Sequence, residues 1–128
     1  MRPLHPEATS RVIGVVDDDV SILRALDRLL SAAGFTVKTF RSAEEFLALD
    51  QPEGIDCLLL DIHMGGLSGF DLQERLTARH IPITVIFITA HDDAPTRERA
   101  RKSGAVAYVR KPFDEHVLIG AIEKAFGR

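Results

Sequence analysis

The stretch from Cys57 to Asp61 constrains the possible folds of this chain more than any other segment. Four apolar residues run in succession and end at a carboxylate, and glycines follow at positions 65, 66 and 69. An unbroken apolar run bounded by turn residues is typical of a strand buried on both faces of a parallel sheet. A carboxylate at the carboxyl end of such a strand faces the crevice in which open α/β sheets bind ligands. Asp61 is therefore either a functional residue or simply a solvated acid that ends a strand.

Length and composition indicate the general class of protein. The chain has 128 residues, which is enough for one domain with a core of its own. Its 45% hydrophobic content, 27% charged content and net charge of -3 are ordinary for a globular protein and argue against general affinity for nucleic acid or membrane surfaces. The only cysteine is Cys57, so a disulfide framework and a cysteine metal cluster are both excluded.

The start of the chain differs in character from the rest. Residues 1–10 are polar, contain two prolines and lack an apolar signal core, so we expect a loose leader ahead of a single domain at residues 11–128. No apolar stretch approaches the roughly 20 residues of a membrane span. Together with the single cysteine, these features predict a cytoplasmic protein that does not bind membranes.

Strand-like segments alternate with helix-like segments along the whole chain. The predicted strands are residues 12–16, 35–40, 57–61, 83–88 and 105–109. Helices are expected to end at Gly34, to run from a capping box of Ser42 and Glu45 to Leu49, to follow Ser68, to run from Pro95 to Gly104, and to start near Asp114. The last helix should bury Val117, Leu118, Ala121, Ile122, Ala125 and Phe126. The alternation predicts an α/β fold, a doubly wound parallel sheet of five strands with five helices on its two faces.

Polar residues stand at four of the predicted strand ends. In the flavodoxin-like strand order 2-1-3-4-5, the switch point lies between strands one and three, where Asp17, Asp18 and Asp61 would meet. Two carboxylates about 4 Å apart repel by roughly 4 kcal/mol at an effective dielectric near 20, so a compensating cation is expected. Mg²⁺ prefers carboxylate oxygens, and Lys111 after the fifth strand would add positive charge. Asp19 is expected to be a loop or helix-capping acid.

A cation, a lysine and a hydroxyl around one carboxylate suit phosphoryl transfer. Catalysis of that reaction depends mostly on positioning and on electrostatic stabilisation of the phosphoryl oxygens. Asp61 would be the nucleophile and would form an aspartyl phosphate. Asp18 and Asp61 would share the Mg²⁺ with one phosphoryl oxygen. Lys111 and the hydroxyl of Thr89 would hold the other oxygens.

These strand ends resemble the motifs of the receiver domain of two-component response regulators, the CheY-like fold. The matching segments are VVDD at 15–18, LDIHM at 60–64, ITA at 88–90 and YVRKPF at 108–113. The resemblance covers about residues 11 to 126. It implies that Asp61 is the phosphoacceptor and that Asp17 and Asp18 form the acidic pair of the metal site, with Asp18 as the direct ligand. It also implies that the Lys111–Pro112 bond is cis.

The same resemblance assigns roles to several further residues. The backbone carbonyl of His63 would bind the metal, and Thr89 and Tyr108 would form the switch pair. His63 and His91 occupy positions that line the path of the attacking water, so they would tune the lifetime of the phosphoryl group. Metal binding by the two rings is a less favoured possibility, because the acids suffice.

The resemblance also implies partners. A sensor histidine kinase or a phosphotransfer protein would supply the phosphoryl group. The chain would catalyse only its own phosphorylation and dephosphorylation, so we do not expect an enzyme in the usual sense. The predicted helix from Pro95 carries Arg97, Arg99, Arg101 and Lys102 with little apolar surface, so the core should hold it weakly. We therefore expect the face made by the fourth helix, fifth strand and fifth helix to switch, and to support a phosphorylation-dependent homodimer.

One segment departs from the family pattern. Gly65 and Gly66 follow Met64, where receivers of this kind usually have proline. Glycine widens the unfolded ensemble, so this loop should be looser, at a cost of about 0.4–1 kcal/mol relative to a compatible proline. The departure bears on the rate of dephosphorylation rather than on the chemistry itself.

The receivers of FixJ-like regulators, which precede LuxR-type DNA-binding domains, are similar at three further segments. These are AGF at 33–35, SAEEF at 42–46 and the Ala94–Pro95 helix start. No helix-turn-helix is present in the sequence, so we expect no direct binding of nucleic acid by this chain.

Three other functions are compatible with parts of the pattern. A haloacid-dehalogenase-like phosphatase would need a second aspartate two residues after the nucleophile, where this chain has His63. A flavodoxin-like flavin binder would need a loop rich in hydroxyls and glycine after the first strand, where this chain has three acids. A degenerate receiver that serves only as a protein-interaction module remains the main alternative, although none of the five expected site residues has been lost.

Overall fold

The computed structural model describes residues 11–50 and 52–127, without the side chain of Glu53. The leader expected at residues 1–10, and Arg128 at the end of the expected domain, lie outside the described residues. The strands are β1 (Val12–Val16), β2 (Thr36–Phe40), β3 (Cys57–Asp61), β4 (Thr84–Thr89) and β5 (Ala107–Arg110). The helices are α1 (Val20–Ala32), α2 (Ala43–Leu47), α3 (Gly69–Ala78), α4 (Ala94–Lys102) and α5 (Glu115–Ala125), with a short 3₁₀ turn at Pro52–Gly54. Within the described ranges, no helix has the length and apolar character needed to cross a membrane.

The five strands form one sheet in the order β2-β1-β3-β4-β5, and every neighbouring pair is parallel. The predicted fold class and strand order are therefore confirmed. In this register Val16 lies opposite Leu60, so the chain leaves β1 beside the carboxyl end of β3. Asp61 lies opposite Ile88, and Thr89 lies opposite Arg110. The carboxyl ends of four strands thus meet along one edge of the sheet.

The sheet separates two hydrophobic cores, as the unbroken apolar run of β3 requires. Successive strand side chains point to opposite faces, so Leu58 and Leu60 join the core under α2, α3 and α4. Cys57 and Leu59 join the core under α1 and α5. All four side chains are fully buried. Burying one leucine contributes about 1.5–3 kcal/mol, so β3 anchors the fold at the strand that carries Asp61.

Each of the five described α-helices is preceded by a residue whose side chain accepts a hydrogen bond from a backbone amide of the first turn. The caps are Asp19, Ser42, Ser68, Asp93 and Asp114. Ser68 and Asp71 form a reciprocal capping box at α3. The box predicted at α2 is only half present, because the Glu45 carboxylate accepts from the amide of Arg41 instead of that of Ser42. Helix α2 also ends at Leu47, before the predicted Leu49.

The prediction that Val117 is buried was wrong. Its side chain is 59% exposed, whereas Leu118 and Ile122 are fully buried. The stripe of α5 that faces the sheet is narrow, since residues at i and i+4 share one face and their immediate neighbours turn away from it. Val106, placed within the fifth strand by its apolar character, precedes β5 and is 55% exposed. Two exposed valines therefore lie on neighbouring elements at the same side of the fold.

Candidate functional site

Asp17, Asp18 and Asp61 come together at the carboxyl edge of β1 and β3. Each offers a carboxylate oxygen, and these oxygens lie within 4.8 Å of one another. Asp17 is fully buried, Asp61 is 4% exposed, and Asp18 is open to solvent. The amide of Asp19 donates to Asp17 Oδ1 at 2.9 Å, which fixes the orientation of the buried carboxylate. The predicted acidic cluster is therefore present, with one face open to solvent.

Lys111 reaches this cluster from the end of β5. Its Nζ lies 2.7 Å from Asp17 Oδ2 and 3.5 Å from Asp61 Oδ1. The backbone holds it in place, because the Lys111 amide donates to the carbonyl of Thr89 at 2.7 Å. The Lys111–Pro112 bond is cis, as the resemblance implied. One ammonium group thus faces two buried carboxylates.

The cluster contains three carboxyl groups but only one ammonium group among its described residues. Burial, followed by repulsion from Asp17, raises the pKa of Asp61 to about 7, although Lys111 acts in the opposite direction. Burial alone would lower the pKa of Lys111, but its contacts with Asp17 and Asp61 outweigh burial and raise it. A single lysine therefore does not compensate the carboxylates.

The donor set fits a hard divalent cation. All side-chain donors in the cluster are carboxylate oxygens, the ligands that Mg²⁺ and similar ions prefer. A cation there would also oppose the effects of burial and of repulsion from Asp17 that raise the pKa of Asp61. The part of the chain that the structure describes holds no other such group of three or more acids, histidines or cysteines. The proposed ligation by the backbone carbonyl of His63 stays a prediction.

Thr89 lies at the end of β4 and is fully buried. Its Oγ1 accepts from the amide of His91 at 3.0 Å, and Nδ1 of His63 lies 3.2 Å from the same oxygen. The two histidine rings pack edge to face with their centroids 5.0 Å apart. Both histidines therefore flank the hydroxyl that was expected to hold a phosphoryl oxygen.

Tyr108 lies on β5 opposite Phe87 and is half-buried. Its hydroxyl donates to Asp92 Oδ1 at 3.2 Å, and burial together with this bond raises its pKa to about 12. Among the described residues, no hydrogen bond joins Tyr108 to Thr89. The expected switch pair is instead linked through the pairing of β4 with β5 and through the loop after β4, which contains Asp92.

The loop after β3 is held by two carboxylates from other parts of the fold. The Gly65 amide donates to Asp18 Oδ2 at 3.2 Å, and the Leu67 amide donates to Glu44 Oε2 at 3.3 Å. Gly66 has a φ of +77°, and a Cβ there would lie 2.8 Å from Glu44 Oε2. Glycine at this position admits both the backbone conformation and the carboxylate. The contribution of Glu44 was not predicted, because nothing in its motif indicates a contact with a loop more than twenty residues later.

Gly69 is a second residue whose part in the site was not predicted. A Cβ at this position would clash with the backbone carbonyl oxygen of Asp61. The Gly69 amide donates to the carbonyl of Ile62 at 2.9 Å, so α3 begins in direct contact with the end of β3. Any side chain at position 69 would displace the backbone that carries the Asp61 carboxylate.

The raised pKa of Asp61 predicts that Asp61→Asn stabilises the metal-free protein at high pH. In the unfolded chain Asp61 releases its proton near the ordinary aspartate pKa of 3.8, whereas the folded state retains it up to about 7. Stability is therefore lost as the pH rises through this window. In urea unfolding with EDTA, the gain of the variant over wild type should be larger at about pH 8 than at about pH 5. The exposed Asp50→Asn is the control, and an equal gain for Asp61→Asn at both pH values would contradict this account.

Comparison with known proteins agrees with this geometry. Residues 13–123 match the family model of the response regulator receiver domain. Nodulation protein W of Bradyrhizobium diazoefficiens is 42% identical over 97% of this chain and 55% of its own length. Response regulator protein TmoT of Ectopseudomonas mendocina is 40% identical over 94% of this chain and 55% of its own length. The chain thus spans about half the length of the curated relatives it matches.

Solved structures show the same architecture. The response regulator StyR matches with a TM-score of 0.85 and 47% identity, over 92% of this chain and 60% of that one. The structure of FixJ-N matches with a TM-score of 0.83 and 36% identity, over 93% of this chain and 95% of that one. The chain therefore belongs to the response regulator receiver domain family of two-component systems.

Proposed function

We propose that Asp61 accepts a phosphoryl group from a sensor histidine kinase or a phosphotransfer protein. The observation that carries this proposal is the convergence of Asp17, Asp18 and Asp61 with Lys111 at one edge of the sheet. These groups surround one nearly buried carboxylate with the charges that phosphoryl transfer requires. A nearby hydroxyl, that of Thr89, completes the set.

In the reaction, an ionised oxygen of Asp61 attacks the phosphorus of a phosphohistidine. The new O–P bond forms as the P–N bond breaks, and the donor imidazole leaves with the electron pair. Lys111 holds one phosphoryl oxygen, and the Thr89 hydroxyl holds another. Since the transition state spreads charge over these oxygens, preformed partners lower its free energy.

Asp18, Asp61 and the backbone carbonyl of His63 would hold Mg²⁺, with Asp17 beside them. When bound, the ion supplies positive charge that offsets the carboxylates and the phosphoryl oxygens. Asp17 has a separate task, because its carboxylate positions the Lys111 ammonium at 2.7 Å. Water then hydrolyses the aspartyl phosphate, and His63 and His91 stand beside Thr89 where they can hinder or orient that water.

The phosphoryl group is read at the surface of α4, β5 and α5. Thr89 moves towards the phosphoryl oxygens, Tyr108 follows, and α4 shifts. Helix α4 suits such a shift, because Ala100 is its only buried residue. The surface combines the exposed Val106 and Val117 with basic side chains such as Arg97, so a partner with apolar and acidic groups fits it. That partner is a second copy of this chain or an output domain.

The chain acts on itself and on no separate substrate, so it is a signalling domain rather than an enzyme with turnover. A cytoplasmic location suits it, because a reducing environment preserves its single buried cysteine. The alternative function, a degenerate receiver that only binds proteins, makes no use of the acidic cluster. Phosphorylation assays separate the two functions.

Phosphorylation should be lost when Asp61 is replaced by Asn. With Mg²⁺ and acetyl phosphate, intact mass should show one added phosphoryl group on wild type and none on Asp61→Asn, because the nucleophilic oxygen is gone. The exposed Asp50→Asn is the matched control and should behave like wild type. Labelling of Asp61→Asn at the wild-type rate would refute the assignment.

Binding of Mg²⁺ without phosphate should depend on Asp18. Asp18→Ala removes one ligand, so the affinity for Mg²⁺ should fall at least about tenfold. Metal-free stability should hold or rise slightly, because carboxylate repulsion is relieved while one exposed hydrogen bond to Gly65 is lost. Asp19→Asn keeps a helix cap and removes a neighbouring charge, so it controls for long-range electrostatics. Unchanged affinity in Asp18→Ala, measured by calorimetric titration, would exclude this site.

The rate at which the phosphorylated protein loses its phosphoryl group should change when His63 or His91 is replaced. His63→Ala and His91→Ala should each alter the dephosphorylation rate at least about twofold, as expected for groups that hinder or assist water. Both variants should keep Mg²⁺ affinity close to that of wild type, because the acids are untouched. His116→Ala on α5 serves as the control. Identical decay in wild type and both variants would reject the tuning role.

Self-association should increase when the phosphoryl mimic beryllofluoride binds. Self-association is measured as an increase in the sedimentation coefficient. Arg97→Glu together with Arg101→Glu should abolish that increase, because these changes reverse charge on the α4 surface. Tyr108→Ala should weaken the response, because it removes the ring that follows Thr89 inward. Arg24→Glu together with Arg28→Glu, both exposed on α1, is the charge-matched control. If the mimic binds but neither association nor the hydrogen-exchange protection of residues 95–110 changes, this surface is not the output face.

A further inference from the structure

Asp92, in the loop between β4 and α4, holds side chains from two different elements. The hydroxyl of Tyr108, on β5, donates to Oδ1 at 3.2 Å. Nε of Arg97, on α4, lies 2.9 Å from the same oxygen. Nη1 of Arg110, at the end of β5, donates to Oδ2 at 3.2 Å. One carboxylate therefore joins the switch tyrosine to the helix and the strand that form the proposed output surface.

This carboxylate is more protected than its partners. The Asp92 side chain is 20% exposed, whereas those of Arg97 and Arg110 are 57% and 70% exposed. Burial would raise its pKa, but the hydrogen bonds from Arg110 and Tyr108 outweigh burial and lower it. Asp92 is thus ionised at neutral pH and binds donors from both elements at once.

Asp92 also lies close along the chain to the residue expected to sense the phosphoryl group. The amide of His91, the preceding residue, donates to Oγ1 of Thr89 at 3.0 Å. A movement of Thr89 towards Asp61 must stretch this bond or draw the His91 backbone with it. If the His91 backbone follows Thr89, Asp92 changes its position relative to Tyr108 on the neighbouring strand. The loop thereby couples two residues that share no hydrogen bond in the described structure.

We propose that Asp92 is a positioning residue that latches the switch in its unphosphorylated arrangement. It accepts a hydrogen bond from the Tyr108 hydroxyl and at the same time binds the guanidinium groups of Arg97 and Arg110. This inference rests on the proposed phosphorylation of Asp61 and adds the group that restrains the output surface. Phosphorylation breaks the contacts of Asp92, which frees Tyr108 to rotate and leaves two guanidinium groups available to a carboxylate on the partner.

The latch acts on populations rather than on overall stability. Exposed ion pairs contribute little to folding individually. A group that favours one of two arrangements instead shifts their equilibrium, and allosteric couplings of this kind typically correspond to factors of about 5 to 150. A ligand that binds only the active arrangement gains apparent affinity in proportion to the fraction of molecules already in it.

The test compares Asp92→Asn with Asp93→Asn in beryllofluoride titrations with Mg²⁺. Asp93 caps α4 through the amide of Thr96, and asparagine can cap equally well, so this variant controls for charge at the same loop. Asp92→Asn should bind beryllofluoride about fivefold more tightly or better, and should self-associate more readily without it. Asp93→Asn should stay within about twofold of wild type. Unchanged or weaker binding by Asp92→Asn overturns the latch.

A double-mutant cycle with Tyr108→Phe tests the route of coupling. This variant removes the hydroxyl and keeps the ring, so it should also bind beryllofluoride more tightly than wild type. Adding Asp92→Asn to Tyr108→Phe should then give a smaller gain than in wild type, because the shared hydrogen bond is already absent. Full additivity rules out action through Tyr108. A purely structural role would lower the melting temperature without raising the affinity.

The same titration separates this inference from the proposed function. Wild type that binds no beryllofluoride would refute the phosphorylation site at Asp61 and the latch with it. Wild type that binds, with Asp92→Asn binding equally, would refute the latch alone. If Asp92→Asn fails to fold, Arg110→Gln with Tyr108→Phe removes two of the three contacts and should give the same gain in affinity.

Discussion

The contact between Lys111 and the two buried carboxylates of Asp17 and Asp61 is the interaction on which this site depends. Folding gathers three acids at one sheet edge and supplies one ammonium group, so the cluster carries excess negative charge. The pKa of Asp61, raised to about 7 by burial and by Asp17, reflects that excess. Binding of positive charge lowers the free energy of such a site. The same geometry therefore suits a divalent cation.

The strength of the surrounding scaffold makes such a site possible. Strand β3 is buried on both faces, and its leucines belong to cores above and below the sheet. The start of α3 packs against the backbone of Asp61 so closely that position 69 admits only glycine. Electrostatic repulsion at the edge is therefore opposed by packing on both sides, and the carboxylate is held without freedom to move away.

The proposed output surface is held far less firmly than the site. Helix α4 buries only Ala100, and its arginines make exposed ion pairs. The Asp92 carboxylate, which binds Tyr108 together with two arginines, connects the rigid edge to this loose helix. A firm site joined to a weakly packed surface is the arrangement that a switch requires, because small changes at the first can alter the population of the second.

The sequence alone determined the fold class and the members of the acidic cluster, because apolar periodicity and strand-end carboxylates are local features. The strand order came instead from the known topology of the fold that the sequence resembles, and the structure confirmed it. The sequence also located most of the helix caps, which depend on a few adjacent residues, but not Asp93 at α4. Only the tertiary structure decided which face of α5 is buried, and Val117 lies on the exposed face. It likewise decided that Glu44 holds the loop after β3 and that Asp92 holds Tyr108. These contacts join residues distant in the chain, and their geometry follows from how helices and loops pack on the sheet, which no local pattern encodes.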